Sequence, residues 1–106
     1  MKYRFMRVMV MFDLPTITIK DEQNYRRFHN FLIKNGFIMQ QYSVYSKLVL
    51  NRTQADSIKR ILRSKVPEKG LVQCFDLTEK QYANIEYMAG VGQSKILSND
   101  KRWVEV

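Results

Sequence analysis

One carboxylate is the strongest candidate for chemistry in this sequence. Asp13 ends a largely apolar run at residues 4–13 and is followed by a Leu-Pro pair. Proline cannot donate to a β-ladder, so the run predicts a strand that stops here. Because side chains alternate along a strand, Asp13 falls on the same face as Met9 and Met11. Such a residue is either a turn aspartate beside a proline or a ligand for a hard cation.

A metal-binding or catalytic role for Asp13 requires a second copy of the chain. Mg²⁺ keeps several waters and takes one or two carboxylates together with phosphate oxygens. A two-fold axis near the end of the first strand would bring two Asp13 side chains together, and a scissile phosphate would complete the shell. Such an ion lowers the pKa of a bound water and stabilises charge on the phosphate. The residues alone leave both interpretations of Asp13 open.

The other reactive side chains have more ordinary interpretations. His29, the only histidine, lies at the edge of an apolar helical stripe, and no partner for it is evident. Cys74, the only cysteine, lies in a β pattern and is predicted to be a small core residue. Tyr42 and Tyr45 are predicted to fill a core or an interface, with stacking on nucleic-acid bases as the alternative. The sequence has no phosphate-binding glycine loop and no Cys/His metal cluster.

Positive charge is concentrated in the first two thirds of the chain. The formal net charge is +8, and residues 1–66 hold thirteen Lys or Arg against four Asp or Glu. Residues 67–106 hold five against six. A basic field of this kind attracts a polyanion, most commonly nucleic acid, although solubility alone and an acidic protein partner are alternatives.

The basic residues follow two predicted helices. Their charged sides would contact the phosphate backbone of a duplex without distinguishing its sequence. The residues predicted to bind nucleic acid are Lys20, Arg26, Arg27, Lys34, Lys59, Arg60 and Arg63.

The elements that must position these residues follow from hydrophobic periodicity. We predict a strand at 4–13, a helix at 21–35, two strands within 37–50 that separate near 45–47, a helix at 54–66 capped by Thr53, a strand at 71–77, a helical turn from Thr78, and short strands at 86–88 and 103–106. The order β-α-β-β-α-β predicts a ferredoxin-like α+β fold, an antiparallel sheet with both helices on one face. Because the first strand is apolar on both sides, we expect a second copy to cover the other, bare face.

The composition indicates a folded protein and the cellular compartment that suits it. Hydrophobic residues make up 45% of the 106, which is enough for a core. With one cysteine no internal disulfide forms, which is typical of a reducing cytoplasm. No apolar run approaches the roughly 20 residues that span a bilayer, so no membrane association is expected.

Four segments resemble a known family. MRVMVMFDLP at 6–15, FHNFLIKNGF at 28–37, QQYSVYSKL at 40–48 and LTEKQY at 77–82 are similar to the small CRISPR-associated adaptation protein, the partner subunit of the CRISPR integrase. The details are most similar to the type II-A versions.

The resemblance implies a ferredoxin-like domain at 1–90 that forms a homodimer through the sheet face. It also implies that the extension at 91–106 adds a strand to the partner's sheet. The dimer would bridge integrase dimers and bind protospacer double-stranded DNA. The alternative is a Mg²⁺-dependent endonuclease acting on RNA or double-stranded DNA through paired Asp13. One acid per protomer disfavours the nuclease, so we expect a non-catalytic working role and leave enzymatic activity open.

Overall fold

Four strands form one antiparallel sheet in the order β2-β3-β1-β4. The computed structural model describes residues 5–90. Its elements are β1 (Met6–Asp13), α1 (Ile19–Lys34), β2 (Ile38–Gln41), β3 (Val44–Val49), α2 (Arg52–Arg63), β4 (Leu71–Thr78) and α3 (Glu79–Ala83). The ferredoxin-like arrangement predicted from the sequence is confirmed. The predicted strand at 103–106 and the extension at 91–106 lie outside the described residues.

One hydrophobic core joins the sheet to both long helices. Alternate residues of β1 are buried, and Val8 and Val10 are completely inaccessible to solvent. The core residues contributed by the two helices are Phe28, Leu32, Ala55, Ile58 and Leu62. Since all of these pack in the same cluster, α1 and α2 lie on one face of the sheet, as predicted.

Side-chain caps begin both long helices earlier than the sequence patterns indicated. Thr18 caps α1, because its hydroxyl accepts a hydrogen bond from the Asp21 amide at 3.0 Å and the Asp21 carboxylate accepts one from the Thr18 amide at 3.2 Å. This bond from the Thr18 backbone lowers the pKa of Asp21. Asn51, and not Thr53, caps α2 by accepting from the Gln54 amide at 2.8 Å.

Three local predictions were wrong. The β2–β3 turn lies at residues 42–43 instead of near 45–47, and Ser43 there adopts a left-handed φ of 63°, which is uncommon for serine and which no turn motif indicated. Residues 86–88 form no strand in the described part of the chain. Cys74 is exposed on the edge strand β4 rather than placed in the core, although partial burial still raises the pKa of its thiol.

The second face of the sheet is not bare, because α3 crosses part of it. The Arg7 guanidinium lies 4.3 Å above the centroid of the Tyr82 ring, and its Nε donates to Glu79 at 2.9 Å. The Tyr82 hydroxyl donates to Gln40 at 2.8 Å, and the Gln40 amide donates to the hydroxyl of Ser46, also at 2.8 Å. Ser46 is completely buried. The chain therefore covers with its own helix part of the surface that was predicted to be covered by a second copy.

Large apolar side chains remain exposed elsewhere on this face. The strand register places Leu48 beside Arg7, Phe75 beside Met9 and Leu71 beside Asp13. Leu48, Leu71 and Phe75 are all exposed. We call this side of the sheet the open face. Within residues 5–90, no helix has the length and apolar composition needed to cross a membrane.

Candidate carboxylate site and nucleic-acid interface

Asp13 lies at the last position of β1, where β4 begins beside it. Its Cα is in register with that of Leu71, its side chain is exposed, and the alternation of β1 assigns it to the open face. The close approach of the start of β4 to the end of β1 depends on Gly70, whose φ is +96°. A Cβ built there would lie 2.8 Å from the Asp13 carbonyl oxygen and 2.8 Å from Cδ2 of Leu14. Glycine is therefore required to hold β4 against the end of β1.

A single protomer supplies too few ligands for a metal ion at Asp13. Within residues 5–90, no group of three or more His, Cys, Asp or Glu side chains is placed to hold one. The exposed carboxylate is the kind of hard oxygen ligand that suits Mg²⁺. The residues therefore fit this ion only as a shared site, completed by water, phosphate oxygens or a second copy of Asp13.

Most of the basic residues that were predicted to bind nucleic acid are exposed on the two long helices. Lys20, Arg26, Arg27 and Lys34 are exposed on α1, and Arg60 and Arg63 are exposed on α2. None of these six forms an ion pair with another residue of the described range 5–90. Because both helices lie on the same face of the sheet, these exposed charges lie on the helix side of the molecule, opposite the open face. We call these six side chains the basic surface.

Lys59 does not belong to this surface, although the sequence placed it on the outer side of α2. Its ammonium group lies 2.9 Å from an oxygen of Asp76 on β4, and Arg52 contacts the same oxygen at 2.5 Å. Burial acts to raise the pKa of Asp76, but the hydrogen bonds and charges of Lys59 and Arg52 outweigh it and lower that pKa. The prediction missed this pair because Asp76 is distant in sequence. Part of the Lys59 charge is thus neutralised by the protein.

A cleft of about 500 Å³ lies beside α1, on the helix side of the sheet. The residues that line it are Thr16, Glu22, Tyr25, Arg26, His29, Met39, Tyr42 and Tyr45. Nδ1 of His29 lies 2.7 Å from the Tyr45 hydroxyl, so the histidine has the partner that was not evident from the sequence. Tyr45 is almost completely buried, and burial raises the pKa of its phenol. No local sequence signal indicated the cleft, because its walls come from the loop before α1, from α1, β2 and β3, and from the turn between these strands.

Comparisons with known proteins all relate this chain to one family. The sequence profile of the family described as CRISPR associated protein Cas2 matches residues 6–85. A Treponema denticola protein named CRISPR-associated endoribonuclease Cas2 is 52% identical over 99 residues, which is 93% of this chain and 98% of the relative. Proteins of the same name from Streptococcus mutans and Lacticaseibacillus rhamnosus are 41% and 40% identical, over 93% and 95% of this chain and 91% and 100% of theirs. The matched region runs from β1 to α3 and includes Asp13, the basic surface and the cleft.

Proposed function

Because this chain belongs to the CRISPR associated protein Cas2 family, as its sequence predicted, we propose that it acts in CRISPR adaptation, the acquisition of new spacers. In this role a homodimer holds the incoming double-stranded DNA and bridges copies of the integrase subunit. The observation that carries the proposal is the basic surface, because six exposed cations on two helices of the same sheet face form no ion pair within residues 5–90. Such a surface binds phosphate groups by releasing their counterions.

The open face supports the dimer. Leu48, Leu71 and Phe75 are exposed on one side of the sheet. Their burial against a second copy would be favourable, because it removes apolar surface from water. A contact through this face directs the helices of both protomers outward. The basic surface is thereby duplicated, and a long duplex has two sites to contact instead of one.

Charge neutralisation tests the DNA-binding part of the proposal. We expect Arg26→Gln/Arg27→Gln/Lys34→Gln to weaken duplex binding by a similar factor for unrelated sequences, because phosphate contacts carry no sequence information. The slope of log K against log salt should fall by about 0.9 for each phosphate contact that is lost. Fluorescence anisotropy over a series of salt concentrations measures both quantities.

Arg52→Gln is the matched control, because the charge of Arg52 is already paired with Asp76. It should change affinity and salt slope much less than Arg60→Gln, which alters a cation of the same helix that forms no ion pair within residues 5–90. An unchanged salt slope in the triple variant would remove α1 from the interface. Equal effects of the Arg52 and Arg60 substitutions would show that pairing within the protein does not decide which cations bind DNA.

A second candidate function is a metal-dependent endonuclease acting on RNA or double-stranded DNA. The relatives carry endoribonuclease in their names, and Asp13 is an exposed carboxylate on the face proposed for dimerisation. Two Asp13 side chains across a two-fold axis would hold one Mg²⁺ if their carboxylates lay roughly 4–6 Å apart, given Mg–O distances of about 2.0–2.1 Å. The bound ion would supply an activated water and stabilise charge on the phosphate. The chain's own contribution is to fix Asp13 at the end of β1. Gly70, which immediately precedes β4, packs tightly against this strand end.

Asp13→Ala separates the two functions. If the protein is a non-catalytic scaffold, the variant supports spacer acquisition and binds both duplex and integrase as the wild type does. If Asp13 serves a nuclease, Mg²⁺-dependent cleavage of RNA or duplex by the wild type disappears in the variant. Loss of acquisition with an intact dimer and normal DNA binding would contradict the scaffold role. Wild-type protein that cleaves neither substrate with any divalent metal would rule out the nuclease.

A further inference from the structure

The aromatic rings that line the cleft beside α1 are held in place by the hydrophobic core. The Phe12 ring contacts Tyr25 edge-on at a centroid distance of 5.9 Å and stacks on Tyr45 at 5.7 Å. His29 contacts Tyr45 edge-on at 5.7 Å, and its Nδ1 is hydrogen-bonded to the Tyr45 hydroxyl at 2.7 Å. Because these rings are already ordered by their neighbours, a ligand that enters the cleft does not have to order them.

Tyr42 supplies a third tyrosine ring at the opening of the cleft. Its side chain lines the cleft and is also 85% exposed, so the ring is available to a ligand without rearrangement of the core. The cleft volume of about 500 Å³ lies within the range of about 300–1,000 Å³ that is typical of small-molecule sites. Stacking on such rings favours a ligand with a flat aromatic group.

Two opposite charges line the same cleft beside these rings. Glu22 and Arg26 lie four positions apart on α1, which places them on the same side of the helix. Neither side chain forms an ion pair with the other or with any residue of the described range 5–90. A carboxylate only accepts hydrogen bonds, whereas a guanidinium only donates them and binds phosphate. A ligand that uses both groups therefore carries an anion and a separate edge of hydrogen-bond donors.

We propose that the cleft binds a free nucleoside monophosphate, with its base stacked on Tyr42, its phosphate at Arg26 and the donor edge of its base at Glu22. The base that fits best is guanine, because its adjacent N1–H and N2–H donors match the two oxygens of a carboxylate. Uracil fits worst, since two carbonyl oxygens flank its only ring N–H. Nε2 of His29, the ring nitrogen that Tyr45 leaves free, is a further polar contact. The inference goes beyond duplex binding and does not depend on it, because the ligand is a free nucleotide.

Isothermal titration calorimetry with GMP and UMP tests the proposal on the full chain. We expect GMP to bind more tightly than UMP by roughly 5- to 100-fold, the range for a bidentate contact to a base edge. Glu22→Gln exchanges one acceptor oxygen for an amide donor and should abolish this preference. Tyr42→Ala should weaken the binding of both nucleotides by roughly 5- to 100-fold, as for the loss of one stacked base. Tyr42→Phe keeps the ring and should bind as the wild type does.

Arg27→Gln is the matched control for Arg26→Gln. Both arginines are exposed on α1, but only Arg26 lines the cleft. Wild-type protein should bind GMP more tightly than guanosine, which lacks the phosphate. Arg26→Gln should remove this difference, and Arg27→Gln should leave it unchanged. Tyr87→Ala removes an exposed tyrosine outside the cleft and should have no effect on either ligand.

Three results would overturn the inference. The first is the absence of saturable GMP binding by folded wild-type protein, and the second is equal affinity for GMP and UMP. The third is an equal loss of GMP affinity in Arg26→Gln and Arg27→Gln, which would place the phosphate on the basic surface and not in the cleft. Duplex binding measured on the same protein separates the two proposals. Protein that binds duplex but not GMP contradicts only this inference, and protein that binds GMP but not duplex contradicts only the proposed DNA binding.

Discussion

Replacing Gly70 with alanine tests how the end of β1 is held in place. The φ of +96° at this position is costly for any residue with a side chain, by about 1–2 kcal/mol. The new Cβ would also lie 2.8 Å from the Asp13 carbonyl oxygen and 3.1 Å from Cα of Leu14. These are backbone atoms that cannot move without displacing the strand, and overpacking of this kind costs about 1–3 kcal/mol. We therefore expect Gly70→Ala to lower the free energy of unfolding by about 2–5 kcal/mol.

Gly36→Ala is the matched control for backbone strain without a rigid clash. Gly36 has a similar φ of +86°, but the atom nearest to its added Cβ is Nζ of Lys47 at 2.7 Å, the end of a flexible side chain. The control should therefore lose only the strain contribution, about 1–2 kcal/mol. Urea unfolding of both variants at equal protein concentration gives the two values, since the stability of a dimer depends on concentration.

The comparison also has a functional readout, because the clash displaces the strand end that carries Asp13. Any Mg²⁺-dependent cleavage should fall more in Gly70→Ala than in Gly36→Ala when both are assayed well below their unfolding midpoints. Equal destabilisation by the two substitutions would refute the reasoning. It would mean that β4 accommodates a methyl group at residue 70 and that its contact with Asp13 and Leu14 is not tight.

Two further predictions concern the sheet. Because ion pairing lowers the pKa of Asp76 below its ordinary value of 3.8, this carboxylate stabilises the fold above about pH 4, and the contribution is lost as the pH falls through the lowered pKa. The free energy of unfolding of Asp76→Asn should therefore fall less steeply below pH 4 than that of the wild type. Urea unfolding at several acidic pH values measures both proteins, and parallel curves would contradict the prediction. Tyr82→Phe removes the hydrogen bond to Gln40 but keeps the ring under Arg7, so we expect a loss of about 0.5–1.5 kcal/mol, with a larger loss in Tyr82→Ala. Urea midpoints measure both variants, and unaltered stability in both would show that α3 does not hold to the open face.

The positions of Asp13 and the basic helices could be predicted because they depend on local patterns. Alternation along β1 ended by Pro15 gives the strand and its last residue, and a 3.6-residue periodicity gives the exposed sides of α1 and α2. These rules act over a few residues and need no knowledge of distant parts of the chain. The same reasoning failed for Lys59, because its partner Asp76 is seventeen positions away on another element.

The cover of the open face was predicted only in part. The sequence showed that both sides of β1 are apolar, which requires a cover on each side. It did not show that Tyr82 and Glu79 would cross the sheet to Arg7, more than seventy positions away. This contact depends on the direction in which the chain leaves β4, and no short-range rule specifies that direction.

By itself the sequence determined the order of elements, the burial of alternate residues in β1, the excess of positive charge and the family. Each of these follows from residue type and spacing, because periodicity and charge are properties of the chain before it folds. Only the tertiary structure decided which cations pair with Asp76, how α3 covers part of the sheet and how His29 meets Tyr45. Those features depend on contacts between residues far apart in the chain, whose distances are set when the strands pair and the core excludes water.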